Sequence, residues 1–162
     1  MLFVARRLRD LHFGKLMEVY IEGNRKKADA FSDPAEGLLQ AEQDFYQYLQ
    51  QVFFAAEGAF YAVWVENGTY CSALRLEPYQ GGLLLEALET APELRRRGYS
   101  TKLIQAVQQL PECDVIYSHV SKSNIPSLGV HQLCGFEKML DYAAYLDGSA
   151  NRNAVTLRWM KG

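Results

Sequence analysis

The stretch 92-PELRRRGYSTKLI-104 places three consecutive arginines directly before Gly98 and the start of a predicted helix. Apolar residues recur at helical spacing from Leu103 to Leu110, which supports a helix beginning near Gly98. Adjacent like charges repel one another. The run Arg95–Arg97 must therefore face solvent, a nucleic-acid backbone or one compact anion.

The start of this helix has the composition of an anion site. The first helical turn leaves backbone N–H groups without intrahelical partners, and the helix dipole attracts anions to the same end. Gly98 has no Cβ to block the backbone, and Ser100 and Thr101 add small hydroxyl donors. Arginine offers phosphate oxygens a charged, forked partner. A diphosphate cradle is expected between a strand that ends near Thr90 and this helix.

A purely solvated charge run is the alternative interpretation of Arg95–Arg97. Cations at a helix N-terminus are unfavourable by about 0.3–1 kcal/mol, which disfavours that alternative. The two common nucleotide-binding loops, G-x-x-x-x-G-K-[ST] and G-x-G-x-x-G after a strand, do not occur. The residues of this segment alone leave both interpretations open.

Length and charge narrow the function classes. The 162 residues fit one domain, residues 1–162, and 17 basic against 19 acidic side chains give a net charge of −2. A general nucleic-acid binder usually carries a basic excess, so the arginine run is a local feature. The three cysteines are widely spaced without a CxxC pair, which indicates neither a disulfide framework nor a metal site. No signal peptide or membrane span is recognisable, and a cytoplasmic location is expected.

The first third of the chain is predicted to be helical after a short strand in residues 2–8. Residues 9–22 form a first helix, which Gly23 and the polar run 24–30 interrupt. A second helix begins at Asp33, with Pro34 at its first position and Glu36 completing a capping box. The apolar face of this helix is formed by Leu38, Phe45, Leu49 and Val52.

Strand patterns begin at residue 59. Two β-rich runs meet at Asn67-Gly68, a strong hairpin signal, and residues 81–92 form a third strand. The helix near Gly98, a strand over 114–120, a short helix ended by Gly135 and two closing strands follow. The order βααβββαβαββ predicts an α/β fold, with a mixed sheet and helices on both faces.

Two motifs in this order resemble those of the GNAT family of N-acetyltransferases. Arg95-x-x-Gly98-x-Ser100 is similar to the acetyl-CoA-binding motif of the family, in which Gly or Ala usually stands where Ser100 does. The later segment 120-VSKSNIPSLGVHQLCGFE-137 matches a second motif, with Asn124, Ser127 and the pair Gly135-Phe136 at the expected spacings. The resemblance implies a GNAT-like, mostly antiparallel sheet whose two central parallel strands splay apart.

The resemblance also implies how acetyl-CoA binds. The pantetheine arm enters between the strands at 83–90 and 114–120, along the backbone of Leu88 to Thr90. The N–H groups of Arg96 to Ser100 hold the pyrophosphate. The implied cofactor-binding residues are Leu88, Glu89, Thr90, Arg95, Arg96, Arg97, Gly98, Tyr99, Ser100, Thr101, Asn124 and Ser127.

Three side chains are candidates for proton transfer. His131 stands seven residues after Asn124, where the family usually has a tyrosine acid, and it is either an acid or base or a plain helix histidine. Glu86 lies in the apolar strand run LLLEAL, and strand alternation places it on the same face as Thr90. His119 lies five residues before Asn124, where some protein-acetylating members have a glutamate. The base is therefore Glu86, His119 or water.

The function implied by the resemblance is transfer of an acetyl group from acetyl-CoA to a primary amine of a small molecule or peptide. The amine attacks the thioester directly, without an acyl-enzyme or a metal. The alternative is a GNAT-like domain that binds CoA without catalysis, and a nucleic-acid protein is a third interpretation that the acidic balance disfavours. No nucleic-acid or membrane partner is expected, and the chain is expected to be a monomer or a homodimer.

Overall fold

The computed structural model describes all 162 residues as a β-sheet covered by helices. The strands are β1 Leu2–Ala5, β2 Phe60–Glu66, β3 Thr69–Tyr79, β4 Gly82–Thr90, β5 Val115–Ser121, β6 Glu137–Leu140, β7 Ala143–Ala144, β8 Ala150–Asn151 and β9 Ala154–Met160. The α-helices are α1 Phe13–Val19, α2 Ile21–Ala28, α3 Pro34–Tyr48, α4 Tyr99–Val107 and α5 Ile125–Leu133. Short 3₁₀ turns occupy Leu8–Asp10 and Pro92–Leu94, and a π-helical turn occupies Leu49–Phe53.

Seven strands form the main sheet, in the order β1-β2-β3-β4-β5-β9-β6. Both residues of the Asn67-Gly68 turn have positive φ, as does the Gln80-Gly81 turn that joins β3 to β4. Every pairing is antiparallel except β4 with β5, which runs only from Leu83–Leu85 against Ile116–Ser118. The predicted mixed, mostly antiparallel sheet with a splayed central pair is confirmed.

Helices cover both faces of the sheet, as predicted. Leu103, Ile104 and Val107 of α4 are fully buried in one apolar core with strands β2–β5 and β9. The opposite core packs residues of α1 and the π turn, such as Leu16 and Phe53, against β1–β3. The sheet therefore separates an α4–α5 face from an α1–α3 face.

The first helices differ from the sequence prediction. Gly23 and the polar run do not interrupt the helix, because α2 continues through them to Ala28. Asn24 and Ala28 lie four residues apart and are both buried, so one face of the polar run contacts the core while Arg25–Lys27 face solvent. The break occurs earlier, at Tyr20, which ends α1 and precedes α2.

The second predicted helix has the expected Asp33 cap and the expected length, but Glu36 does not complete a capping box and the last turn is π-helical. The Asp33 carboxylate accepts a hydrogen bond from Ala35 N at 3.0 Å, and Pro34 occupies the first helical position. Val52 was expected on the buried face, but it is 56 % exposed. The π turn shifts the helix phase by one residue, so Phe53 is buried in place of Val52.

The two predicted closing strands are divided. In the segment 136–146, β6 pairs with β9, while β7 turns away to form a separate two-stranded ribbon with β8. The Thr156 hydroxyl donates to the Tyr142 carbonyl at 2.7 Å and fixes the bend between β6 and β7. No helix is both long and apolar enough to cross a membrane.

Candidate active site

A cleft of about 450 Å³ opens where β4 ends and α4 and α5 begin. It brings together two segments that are far apart in sequence, 88–101 and 124–130. All predicted cofactor residues except Arg97 line it. The lining residues are Leu88, Glu89, Thr90, Leu94, Arg95, Arg96, Gly98, Tyr99, Ser100, Thr101, Asn124, Pro126, Ser127 and Val130.

The start of α4 gives this cleft free backbone donors. Gly98 has φ 78° and ψ 14°, a left-handed conformation, and no side chain caps the helix. The first helical hydrogen bond is donated by Lys102 N to Gly98 O at 3.0 Å, so the N–H groups before Lys102 have no partner within the helix. A Cβ at Gly98 would meet no atom within 4 Å, because the space in front of it is the open cleft.

A chain of hydroxyl groups fixes α4 against the sheet. Thr90 Oγ1 lies 2.6 Å from Ser100 Oγ and donates to Ser72 Oγ at 3.2 Å. Ser72 in turn donates to the Glu89 carbonyl at 2.8 Å. The hydroxyl of Ser100 is thus a structural link, which gives a physical reason for serine at this motif position. Sequence reasoning missed Ser72, because its pairing with Thr90 depends on strand register.

The three arginines have different environments. Arg95 Nη1 lies 2.8 Å from Glu22 of α2, and its Nη2 lies 3.6 Å from Glu89. The hydrogen bond to Arg95 lowers the pKa of Glu22, whereas burial raises the pKa of Glu89. Arg96 and Arg97 are exposed. Arg95 therefore connects the cleft to α2, a contact that the sequence prediction did not include.

Asn124 forms the opposite wall of the cleft. Its side-chain oxygen accepts a hydrogen bond from Ser127 N at 3.2 Å and caps α5. The two motifs identified in the sequence therefore begin two helices whose N-termini border one cleft.

The splay of β4 from β5 coincides with a bulge in β4. Ala73 pairs with Glu89, but Arg75 pairs with Glu86, so β4 contains one extra residue between these pairs. Ala87 lies within this irregular segment and has φ 53°. The Ala87 carbonyl accepts a hydrogen bond from Tyr20 Oη at 2.7 Å.

The bulge corrects the predicted position of Glu86. Strand alternation placed Glu86 on the same face as Thr90, but the extra residue reverses the alternation between them. Thr90 contacts Ser100 on the α4–α5 face, whereas Glu86 pairs with Arg75, whose guanidinium lies over the Tyr48 ring on the α1–α3 face. The two residues therefore lie on opposite faces.

Glu86 occupies an environment that resists ionisation. Its pKa is raised to about 8, chiefly by burial and also by neighbouring Glu77, whereas Arg75 acts in the opposite direction. Its Oε1 atom is buried and has no hydrogen-bond partner. Glu77 and Arg75 lie in 71-CSALRLEPY-79, an apolar strand interrupted by charges. A charged residue in an apolar strand is the feature that identified Glu86 as a candidate. The same feature could have identified Arg75 and Glu77.

His119 lies on the same side of the sheet as Glu86. Leu84 of β4 pairs with Tyr117 of β5, and both base candidates lie two residues further along these parallel strands. His119 Nε2 is 3.3 Å from Tyr79 Oη, and the Tyr145 ring packs edge-on at 5.2 Å. Burial lowers the pKa of His119, so its neutral form dominates at pH 7.

His131 lies apart from the cleft lining. Only 1 % of its surface is exposed, and its ring packs at 5.0 Å from the Phe136 ring. Nδ1 is 2.7 Å from the Ser127 carbonyl oxygen, and Nε2 is 2.8 Å from Ser118 Oγ. This network assigns the proton to Nδ1, so that Nε2 accepts from the Ser118 hydroxyl. Burial lowers the pKa of His131, which keeps the ring neutral.

The other predicted structural residues have structural contacts. His12 caps α1, its Nδ1 accepting from Lys15 N at 3.2 Å. All three cysteines are free and buried, as expected of small core residues. No group of three His, Cys, Asp or Glu side chains is arranged to hold a metal ion.

Several solved structures with this architecture are acetyltransferases. The chain aligns with the PaiA N-acetyltransferase from Thermoplasma acidophilum, crystallised with coenzyme A, at 10 % identity and a TM-score of 0.67, over 99 % of each chain. The ribosomal-protein-S18-alanine N-acetyltransferase from Escherichia coli aligns at 16 % identity and a TM-score of 0.56, over 100 % of this chain and 97 % of that one.

A spermidine N-acetyltransferase chimera from Vibrio cholerae aligns at 17 % identity and a TM-score of 0.60, over 98 % of this chain and 95 % of that one. At these identities the likeness establishes the fold alone. No curated protein matches the sequence. The model of the acetyltransferase (GNAT) family matches residues 15–136, about three quarters of the chain. The chain therefore belongs to the acetyltransferase (GNAT) family.

Proposed function

We propose that this protein transfers the acetyl group of acetyl-CoA to a primary amine of a small molecule or a peptide. The observation that carries the proposal is the uncapped start of α4, where Gly98 opens the backbone to a cleft that reaches the splayed strands. Family membership supports acetyl transfer as the reaction class.

The shape and the donors of the cleft fit a ligand in which a diphosphate group is followed by a narrow, extended chain. The N–H groups of Arg96 to Ser100 would hold the pyrophosphate, assisted by the helix dipole and by the exposed side chains of Arg96 and Arg97. The backbone of Leu88 to Thr90 lines the cleft beyond this point and would contact the pantetheine arm. Bound acetyl-CoA supplies the activated thioester.

The acceptor amine would approach from the α1–α3 face, where both base candidates lie. Glu86 is the base that we favour, because a carboxylate with a pKa near 8 can take a proton from an ammonium group at moderate pH. His119, which is neutral at pH 7, is the alternative. The relatives act on amines of different kinds, spermidine and a protein alanine, so both acceptor classes stay within the proposal.

We infer a structural role for His131. Its Nδ1 proton is engaged by the Ser127 carbonyl, and its Nε2 carries no proton to give to a leaving thiolate. The ring therefore joins α5 to β5 beside the end of the parallel pairing. In this proposal the CoA thiolate leaves without assistance from His131.

A catalytically inactive CoA-binding domain is the second candidate. The observation that favours it is the replacement of the usual tyrosine acid by the buried His131. A nucleic-acid role has less support, because Arg95 is paired with Glu22 and Glu89, which leaves only two arginines of the run without a salt bridge.

One experiment separates the two CoA-dependent candidates. Acetyl-CoA should raise the melting temperature in either case, since it binds the folded state. The protein is then offered a panel of polyamines, amino acids, aryl-alkylamines and short peptides, and free CoA thiol is measured. Thiol release that depends on the amine supports the enzyme. A thermal shift without thiol release across the panel supports the binding domain.

A further inference from the structure

Two glutamates on neighbouring strands face each other on the α1–α3 side of the sheet. Glu86 of β4 pairs with Arg75 of β3, and Glu77 lies two residues from Arg75 on the same face of β3. The two carboxyl groups are therefore diagonal neighbours, within reach of each other across the two strands, and Glu77 raises the pKa of Glu86. Both side chains are only partly buried.

The unpartnered oxygen of Glu86 indicates how this contact is satisfied. Oε1 is buried, and the fold gives it no donor. Two ionised carboxylates can only accept hydrogen bonds, so they cannot bond to each other. One proton held between Glu77 and Glu86 turns the pair into donor and acceptor and satisfies the buried oxygen.

The groups around the pair leave this arrangement intact. Arg75 is the nearby cation, and its guanidinium lies 4.8 Å from the Tyr48 ring and 5.7 Å from the Phe53 ring. Its Nε is itself buried without a partner, so Arg75 does not form a paired ion bridge with Glu86. The other titratable groups on this face are Tyr20, Tyr48, Tyr61, Tyr79, Tyr117, Glu89 and His119.

We propose that Glu77 and Glu86 hold a single proton between them in the free protein, and that Glu77 is a positioning residue which sets the pH range in which Glu86 accepts a proton. The first half of this inference concerns the free protein, and the second half rests on the proposed function. The form of the pair that acts as a base is the one that has lost this shared proton at higher pH. When the acceptor ammonium then loses its N–H bond, an O–H bond forms on Glu86 and the pair again holds one proton. That proton is then shared with Glu77, which reaches solvent and releases it there.

The shared proton is tested in the free protein by nuclear magnetic resonance of ¹³C-labelled glutamate carboxyl groups. Glu86→Gln and Glu77→Gln assign the two signals. In the unmodified protein the Glu86 carbon should titrate near pH 8. In Glu77→Gln its midpoint should fall by about one pH unit or more, because the like charge is gone.

The matched control is Glu137→Gln, which removes an exposed glutamate from β6 and should leave the Glu86 midpoint unchanged. Glu77→Asp keeps the charge, so the Glu86 midpoint should return most of the way to its value in the unmodified protein. This variant also shows that the shift in Glu77→Gln is not caused by a general effect on folding. A Glu86 midpoint that is the same in Glu77→Gln as in the unmodified protein overturns the proposal.

The catalytic half is tested with any amine that releases CoA in the panel. The acidic limb of the pH–rate profile should move to lower pH in Glu77→Gln, by the same amount as the Glu86 midpoint. If the Glu86 midpoint moves in Glu77→Gln but the acidic limb of the pH–rate profile does not, the role of Glu77 in the reaction is contradicted. The shared proton is still supported in that case. If no amine releases CoA but the midpoint moves, the proposed function fails and the shared proton stands.

Discussion

The two faces of β4 are built in different ways. On the α4–α5 face, the cleft is bordered by the segments 88–101 and 124–130, and its free backbone N–H groups belong to the start of α4. On the α1–α3 face, Glu86 lies among Arg75, Glu77 and Tyr48, which come from β3 and α3. A ligand site made of contiguous backbone is encoded locally, whereas a tuned ionisable group requires neighbours from distant parts of the chain.

The largest effect is expected from Glu86→Gln, which removes the proposed base from the α1–α3 face. The rate with an active amine should fall by about 10²–10⁴-fold, while the affinity for acetyl-CoA is unchanged because the cleft lies on the other face. Thiol release at fixed time points measures the rate, and calorimetry measures the affinity for acetyl-CoA. Glu137→Gln on β6 is the control.

The pH dependence of the unmodified protein sharpens this prediction. A base is active only after it has lost its proton, so kcat/KM should rise with pH and level off above about 8, the pKa of Glu86. Loss of rate in His119→Gln, with normal rate in Glu86→Gln, would transfer the role of base to His119.

Gly98→Leu tests the α4–α5 face. The side chain would enter the cleft and block access to the free N–H groups, so acetyl-CoA affinity should fall on the order of a hundredfold, the equivalent of about two charge-assisted hydrogen bonds. The measurement is the dissociation constant by calorimetry.

Gly148→Leu is a closely matched control for this substitution. Gly148 also has positive φ, 87°, and open space around its Cβ position, but it lies outside the cleft. Both variants should lose about 1–2 kcal/mol of folding free energy from left-handed strain. Unchanged acetyl-CoA affinity in Gly98→Leu would show that the phosphate assignment is wrong.

His131→Leu tests a residue that joins α5 to β5 beside the splay. Removing the ring leaves the Ser118 hydroxyl and the Ser127 carbonyl without their partners, which should cost about 2–4 kcal/mol of unfolding free energy. Urea unfolding measures this cost, with His12→Leu, a partly solvated cap worth about 1 kcal/mol, as comparison. A stable variant whose rate falls a hundredfold would instead identify His131 as the acid.

The smallest effect is expected from the contact that ties α2 to the cleft. A double-mutant cycle of Arg95→Met and Glu22→Gln should give only a weak coupling free energy, because both side chains are largely solvated. The Arg6–Glu112 pair, 3.1 Å apart and also exposed, is a matched control cycle. If the Arg95–Glu22 coupling grows when acetyl-CoA is bound, this contact is energetically linked to the cofactor site. Equal coupling with and without acetyl-CoA would show that the two are independent.

The features that were predictable from the sequence share a local origin. The Asn67-Gly68 hairpin, the Asp33 cap and the Gly98 helix start each depend on a few adjacent residues, and all three occur as expected. The end of α3 was not predictable in the same way. Its last turn is π-helical, so Phe53 is buried where the spacing of a regular α-helix would bury Val52.

The position of Glu86 shows the limit of a pattern argument. Alternation along a strand assigns faces correctly only where every residue is paired, and the extra residue near Ala87 reverses it. A bulge depends on the register of β3 against β4, which no local sequence pattern specifies here. The burial of His131 depends in the same way on Ser118, which lies on β5.

By itself the sequence determined the family, the order of elements and the segment 88–101 with its uncapped start of α4, because backbone conformation there follows from neighbouring residues. Only the tertiary structure decided that Glu86 faces Glu77, that Arg95 binds Glu22 and that His131 is enclosed between α5 and β5. Those three outcomes depend on burial and on charges brought together from distant positions. They are the properties that set ionisation, and ionisation sets the proposed chemistry.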